Sequence, residues 1–329
     1  MNKRRTAALL AGMLCLTGLT ACGGQDSAGA DTGEVYHIAM IVKHTDEHFK
    51  KVIAGAEAYA AEHGNVQVEV QSPTSATAYD EQLNMIETVL HNDGVDAAVV
   101  APLQSDSAAT LVSTAEKPVI ALDTDFTSDK KAAFVGTGNE AAAKDGGDAS
   151  MEQARANGAD KPQVVILTGA QGDETHEARL RGYRSAVVEA DGTVLEVQYC
   201  DAQPDRAAAA MEAVMQKYPQ GVDAVLVTGD DMALSAIKVI EDSGNAAYAK
   251  AVICGFDGNR AAVEALERGE LTVDIAQQGY DMGYKAIEAA VDALEGYKVE
   301  TVIDSGSKIL NADNIEDYIA DMKAKGLWE

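Results

Sequence analysis

The 329-residue sequence is poor in cysteine, aromatic residues, proline and basic residues, and each shortage excludes a class of protein. It holds 4 Cys, 6 Pro and 1 Trp, and its 26 basic residues stand against 53 acidic ones, for a formal net charge of −27. Because so acidic a surface repels phosphate groups, we expect no nucleic-acid partner. Four cysteines in a chain of this length exclude a disulfide scaffold, and six prolines leave no proline-rich segment.

The N-terminus carries the pattern of a secretory signal. Basic residues at positions 3–5 precede an apolar run over residues 7–19, and Leu-Thr-Ala then leads into Cys22. The run is too short to span a bilayer, so we expect a signal peptide at residues 1–21. Small residues directly before a cysteine resemble the lipobox of bacterial lipoproteins, which predicts lipidation of Cys22. The alternative is a plain secretory signal with an unmodified cysteine.

Residues 22–34 form a flexible linker in this interpretation, because glycine, serine, alanine and aspartate dominate them. Loss of the signal removes three basic residues and changes the formal charge to −30. The mature chain is then expected outside the cytoplasm, anchored by lipid to the cell membrane, at the cell surface or in the periplasm. Beyond the linker only Cys200 and Cys254 remain, either as buried free thiols or as one bridge.

From Tyr36 onward, short apolar runs alternate with longer segments of helical period. The runs are HIAMIV, VQVEV, DAAVVAP, PVIAL, QVVILTG, TVLEVQY, DAVLVTG, KAVICGF and LTVDIAQ. Strands buried on both faces and separated by amphipathic helices are typical of a parallel, doubly wound α/β sheet. The chain is long enough for two such sheets. We interpret residues 132–147, AAFVGTGNEAAAKDGG, as a connection between them.

Ligands of doubly wound folds bind beyond the carboxyl ends of the strands, so the residues there are the candidate site. They are Lys43, His44, Glu47 and Phe49 after the first run, Asp123 and Thr124 after PVIAL, Arg179 after QVVILTG, Gly229 and Asp230 after AVLVT, Asp257 in GFDG, and Gln277 in IAQQ. Carboxylates accept hydrogen bonds from hydroxyl groups, guanidinium and amide groups donate them, and an aromatic ring covers the C–H face of a sugar. This set therefore predicts a site for a sugar or polyol. The alternatives are a hexose, a pentose, a polyol, an amino or acidic sugar, and a furanosyl signal molecule.

Each candidate also has a structural interpretation. Asp123 and Asp257 could be turn formers, and Arg179 could be a solvated charge on a helix. Asp230 or Asp231 could cap a helix that starts at the following methionine. No single one of these residues distinguishes a binding site from a structural role.

Taken in order, five segments resemble the ribose-binding proteins and their relatives, the type I sugar-binding proteins of bacterial ABC importers. The segments are VIALDT, ARLRGYRSA, TGDDMALSAIKVIEDSG, VICGFDG and LTVDIAQQGYDMG. The resemblance covers nearly all of the mature chain and implies ligand contacts from the following residues. They are Lys43, Glu47, Phe49, Asp123, Arg179, Asp257 and Gln277. The chain departs from ribose binders at Lys43 and Glu47, where those carry Ser and Asn, and at Thr124, where they carry Arg.

The resemblance implies the type I periplasmic binding protein fold, two doubly wound parallel-sheet lobes joined by a multi-strand hinge. We expect one lobe at residues 35–137 with 278–304, and the other at residues 138–277 with 305–329. The resemblance further implies a monomer that delivers ligand to a membrane permease and its ATPase, with no cofactor and no catalysed reaction. The alternatives are a receptor of the same fold that feeds a chemoreceptor or sensor kinase, and an enzyme.

Residues 44–48 spell H-x-x-E-H, which also occurs in zinc proteases. That chemistry needs both histidines on one helical face and a third ligand, whereas His44 precedes the predicted helix and no third ligand is evident. An alternation of oxygen ligands beginning at Asp123 resembles a calcium loop, but Ser128 and Phe134 occupy the positions that require Gly and Glu. We therefore expect no metal.

Overall fold

The computed structural model describes residues 35–75 and 77–328. The predicted signal peptide, Cys22 and the linker lie outside these residues. The described residues form one compact unit. Among the helices of the described residues, none has the length and hydropathy needed to cross a membrane.

The unit contains strands and helices in regular alternation. The strands are β1 (Tyr36–Ile41), β2 (Val66–Gln71), β3 (Ala97–Val100), β4 (Val119–Leu122), β5 (Lys131–Gly136), β6 (Gln163–Thr168), β7 (Thr193–Tyr199), β8 (Ala224–Val227), β9 (Val252–Asp257), β10 (Val273–Gln277), β11 (Val302–Asp304) and β12 (Ser307–Leu310). The helices are α1 (Glu47–His63), α2 (Tyr79–Leu90), α3 (Ser105–Val112), α4 (Asn139–Ala156), α5 (Glu174–Glu189), α6 (Pro204–Lys217), α7 (Asp230–Ser243), α8 (Arg260–Glu267), α9 (Gly279–Leu294) and α10 (Ile315–Ala324).

The strands form two six-stranded sheets. One has the order β11-β5-β4-β3-β1-β2 and the other β12-β10-β9-β8-β6-β7. The strands of the first sheet pair in parallel, and in the second only β12 runs antiparallel to its neighbour. We call the first sheet with α1, α2, α3 and α9 the first lobe, and the second sheet with the other helices the second lobe. The predicted α/β fold with two parallel-sheet lobes is confirmed.

The chain passes between the sheets in three places: after β5, after β10 and after β11. Two of these crossings contact each other, since the hydroxyl groups of Thr137 and Ser305 lie 3.4 Å apart and the Gly138 N–H donates to Asp304 at 3.2 Å. The exact limits of the lobes along the chain stay a prediction.

Buried apolar residues on both faces of each sheet form the cores, because every residue of β3, β4 and β8 is apolar and buried. Helices α1 and α9 approach each other so closely that glycine is required at the contact. A Cβ atom at Gly283 would lie 1.8 Å from the Val52 carbonyl oxygen, and one at Gly55 would lie 1.9 Å from that of Tyr280. Helix α9, which follows the second crossing, is thereby fixed against helix α1.

Three strands of the structure were not predicted from the sequence. Residues 132–147 are not a simple connection, because they contain most of β5 and the start of α4. Strand β5 has a mixed pattern, with Lys131 and Ala132 only half-buried, and so lacks a clear apolar run. Strands β11 and β12 are only 3 and 4 residues long, β11 is largely exposed, and both form by pairing with distant strands.

Candidate functional site

A cavity of about 1120 Å³ lies between the carboxyl ends of the two sheets. Ten of the eleven predicted site residues line it. They are Lys43, His44, Phe49, Asp123, Thr124, Arg179, Gly229, Asp230, Asp257 and Gln277. The eleventh, Glu47, does not line the cavity, although the sequence analysis placed it in the site. The topology explains the convergence, since the ends of parallel strands meet at one edge of each sheet.

Asp123 is the centre of the first lobe's contribution. One carboxylate oxygen lies 2.9 Å from His48 Nε2, and the other lies 3.4 Å from Lys43 Nζ and accepts from the Thr124 hydroxyl at 3.0 Å. Burial alone would raise the pKa of Asp123, but Lys43 and His48 outweigh it and hold that pKa well below its ordinary value. The same contacts raise the pKa of both cations against the effect of burial.

Asp257 is the corresponding carboxylate of the second lobe. Its Oδ1 accepts from Arg179 Nη1 at 3.1 Å and from Gln277 Nε2 at 2.7 Å. Within the described part of the chain, its Oδ2 has no hydrogen-bond partner and lies on the side of Gly229. Burial raises the pKa of Asp257, although Arg179 opposes that rise. A carboxylate oxygen left without a protein donor is available to a ligand hydroxyl group.

Both strand-end aspartates have positive φ angles, 61° at Asp123 and 130° at Asp257. Non-glycine residues rarely adopt such angles, and the strain persists only where the surroundings hold it. The turn interpretation is therefore compatible with the site interpretation at these two positions. The backbone turns sharply there, and each carboxylate remains in the cavity wall.

Arg179 is held from several sides. Its Nε donates to Asn139 at 2.8 Å and its Nη1 to the Thr228 carbonyl at 2.9 Å, and the guanidinium stacks on Phe256 at 3.7 Å from the ring centroid. The side chain is 3% exposed, so the interpretation as a solvated helix charge is wrong. A stacked and bonded guanidinium presents its remaining donors in a fixed direction.

The two lobes contact each other across the cavity. The hydroxyl groups of Thr124 and Thr175 lie 3.1 Å apart, and the charge of Asp173 contributes to the raised pKa of Lys43. His176 lies 2.9 Å from the Thr228 hydroxyl, and burial lowers the pKa of His176 to about 4, so its imidazole is neutral near pH 7. The described chain is thus in a closed arrangement.

Asp230 lines the cavity but is anchored beneath it. Its Oδ2 accepts from the Asn259 N–H at 2.7 Å, and burial raises its pKa well above the ordinary value. The predicted capping role is wrong, since α7 begins at Asp230 itself and has Gly229 as its N-cap without a side-chain bond. Asp231, at the next position, is exposed.

Several cavity-lining residues were absent from the predicted set. They include His48, Tyr79, Gln104, Asp125, Asp173, Thr175 and His176. They lie in the loops after strand ends or in the first turn of the next helix, so the strand-end rule could have found them. Phe49 was predicted to cover a sugar ring, and it lines the cavity with its ring at 70° to the His48 ring and 5.1 Å between centroids.

The two motifs that could suggest metal have other contacts. His48 is engaged with Asp123, and Lys131 binds the carboxylate of Asp125 in the segment that resembles a calcium loop. Across residues 35–75 and 77–328, no group of three or more His, Cys, Asp or Glu side chains could hold a metal ion. Cys200 and Cys254 are buried free thiols, so they do not form the bridge left open by the sequence.

Two α/β lobes that enclose a polar, charge-paired cavity define a solute-binding protein that closes around its ligand. The chain belongs to the periplasmic binding protein family, whose domain profile matches residues 38–298. The predicted resemblance to ribose-binding proteins is confirmed. The relatives are transport binding proteins rather than enzymes, and the family acts outside the cytoplasm.

Three relatives illustrate the similarity. The ribose import binding protein of Bacillus subtilis is 28% identical over 268 residues, which cover 79% of this chain and 82% of that protein. The xylitol-binding protein of Mycolicibacterium smegmatis is 26% identical over 289 residues, which cover 86% of this chain and 79% of the relative. The structure of the glucose-galactose binding protein of Geobacillus stearothermophilus matches with a TM-score of 0.78 at 26% identity, over 85% of this chain and 99% of that one.

Proposed function

We propose that the protein is the solute-binding component of an ABC importer and captures an uncharged monosaccharide or polyol between its lobes. The observation that carries the ligand class is the pairing of charges in the cavity. Each lobe pairs a carboxylate of the cavity wall with basic side chains, Asp123 with Lys43 and His48, and Asp257 with Arg179. A neutral ligand with neighbouring hydroxyl groups can bond to both members of a pair without separating them.

The same pairing disfavours charged ligands. An acidic ligand at Arg179 would compete with Asp257, and a cationic ligand at Asp123 would compete with Lys43 and His48. Breaking a buried pair costs several kcal/mol, by general experience about 3 to 5. The names of relatives that bind ribose, xylitol, or glucose and galactose support the same class.

The delivery of ligand to a permease with its ATPase, a monomeric state and a lipid anchor at Cys22 belong to the same proposal. They are supported by the import function named for the Bacillus subtilis relative and by the lipobox-like sequence before Cys22. Lobes at residues 35–137 with 278–304 and at residues 138–277 with 305–329 are consistent with the two sheets.

A thermal-shift screen tests the ligand class. The probes are D-ribose, D-glucose, D-galactose and xylitol, with D-gluconate and D-glucosamine as charged counterparts of glucose. At about 100 times its dissociation constant, a ligand stabilises the folded state by about 2.7 kcal/mol. We expect at least one neutral probe to raise the melting temperature more than either charged probe. A preference for gluconate or glucosamine would refute the charge-pair argument.

A further inference from the structure

The turn between β9 and α8, residues 257–260, is held from both lobes. It begins with Asp257, whose carboxylate lines the cavity. Within the second lobe, the Asn259 N–H donates to Asp230. Gly258 has a φ of +73°, and a Cβ atom there would lie 2.4 Å from the Ala276 Cβ, so the turn has little freedom to rearrange.

The contacts from the first lobe come from the first two turns of α1. Lys51 Nζ donates to the Gly258 carbonyl at 2.7 Å, and the Arg260 N–H donates to the Glu47 carboxylate at 2.5 Å. Glu47 and Lys51 are one helical turn apart, and their charged groups lie 3.5 Å apart. The two side chains thus form one unit that bonds to the backbone of the opposite lobe.

Both contacts lie outside the cavity wall. Glu47 and Lys51 do not line the cavity, although the residues on either side, His44 and Phe49 among them, do. Lys51 is 6% exposed, so its ammonium group depends on the carbonyl and carboxylate that surround it. Both bonds join residues of different lobes and cannot persist once the lobes separate at the turn.

We propose that Glu47 and Lys51 form a closure latch, which sets ligand affinity by stabilising the closed arrangement and not by touching the ligand. The inference rests on the proposed function, in which ligand is captured between the lobes. When only the closed form holds ligand from both sides, the apparent dissociation constant rises as the closed fraction falls. Loss of the latch therefore weakens every ligand by the same factor and leaves their order unchanged.

The first test needs no ligand. Lys51→Met and Glu47→Ala are compared with Lys50→Met and Glu57→Ala, which make the same changes at exposed positions of α1. Amide hydrogen exchange is followed at Arg260, whose N–H is bonded to Glu47 and not to Lys51. We expect Lys51→Met to accelerate this exchange, since the latch acts as a unit, and solution scattering to give a larger radius of gyration. Neither control should change either value.

The second test measures affinity for D-ribose, xylitol, D-glucose and D-galactose by calorimetry. Each latch bond involves a charged group, so each latch variant should weaken the binding of every probe by about tenfold or more, and by a common factor. Unchanged Arg260 exchange in Lys51→Met, or a loss confined to one probe, would overturn the latch. If the wild type binds no probe, the proposed ligand class fails, while the exchange experiment still decides the latch.

Discussion

Replacing Asp274 with asparagine tests how strongly a buried carboxyl group couples the stability of this protein to pH. Asp274 lies in β10 and is fully buried. Burial raises the pKa of Asp274 from 3.8 to about 7, where a hydrogen bond with Asp230 opposes the rise and the charge of Asp257 adds to it. The carboxyl groups of Asp274 and Asp230 both lie beside Gly255. The pKa of Asp230 is also raised.

The direction of the change in stability with pH follows from proton binding. A carboxyl group whose pKa is higher in the folded state binds its proton more tightly there than in the unfolded chain. Between the two pKa values, the folded state therefore carries more protons, and stability falls as pH rises. Each pH unit in this window changes the free energy of unfolding by about 1.4 kcal/mol. From about pH 5 to about pH 8, Asp274 should cost the wild type about 3 kcal/mol.

Urea unfolding at both pH values measures the effect. Asparagine cannot ionise, so we expect Asp274→Asn to lose about 3 kcal/mol less than the wild type over this range. Any constant cost of burying the amide cancels, because only the pH-dependent difference is compared. The exposed Asp313→Asn is the control and should keep the wild-type profile. Parallel profiles for wild type and Asp274→Asn would refute the burial argument.

Three further predictions concern the ion pair, the glycine contact and the anchor. Arg179→Ala should lower the free energy of unfolding without ligand by about 3 kcal/mol in urea titrations, because Asp257 is left buried without its ionic partner. The double variant with Asp257→Ala should recover part of this lost stability. Equal stability of the wild type and Arg179→Ala would contradict the pairing. Gly283→Ala should lower the melting temperature, because its Cβ would meet the Val52 carbonyl at 1.8 Å; an unchanged melting curve would show that α1 and α9 can separate without cost. Cys22→Ser should abolish membrane association in cell fractionation or leave an unprocessed precursor, and persistent association of a processed chain would exclude the lipid anchor.

Much of the fold was predictable because its central strands are continuous apolar runs. Strands β3, β4 and β8 are recognisable from four buried residues each, whereas β11 depends on pairing with β5 and has no such signal. The rule that ligands bind beyond strand ends correctly placed ten of the eleven predicted residues in the cavity wall.

The exceptions depend on side-chain direction, which residue order does not determine. Glu47 belongs to the same segment after β1 as Lys43, yet it is the first residue of α1, and its carboxylate bonds to the opposite lobe. Gln82 looks like a surface residue of α2, but it is buried and donates to the carbonyl groups of Val42 and Ala101. In the sequence, Asp274 has the position of a solvent-facing polar residue in an alternating strand. In the structure both faces of β10 are covered, and Asp274 is buried.

The three crossings between the sheets have a consequence for the order in which the chain can fold. Strand β11 completes the edge of the first sheet beside β5, and β12 completes the second beside β10, so neither lobe can be finished by an N-terminal part of the chain. Thr137 and Ser305, which meet at the hinge, are 168 residues apart. Contacts of such long range slow folding, because loop closure must precede the contacts that stabilise it. Because β11 and β12 are the last strands of the chain, we expect neither sheet to be complete until nearly the whole chain is available.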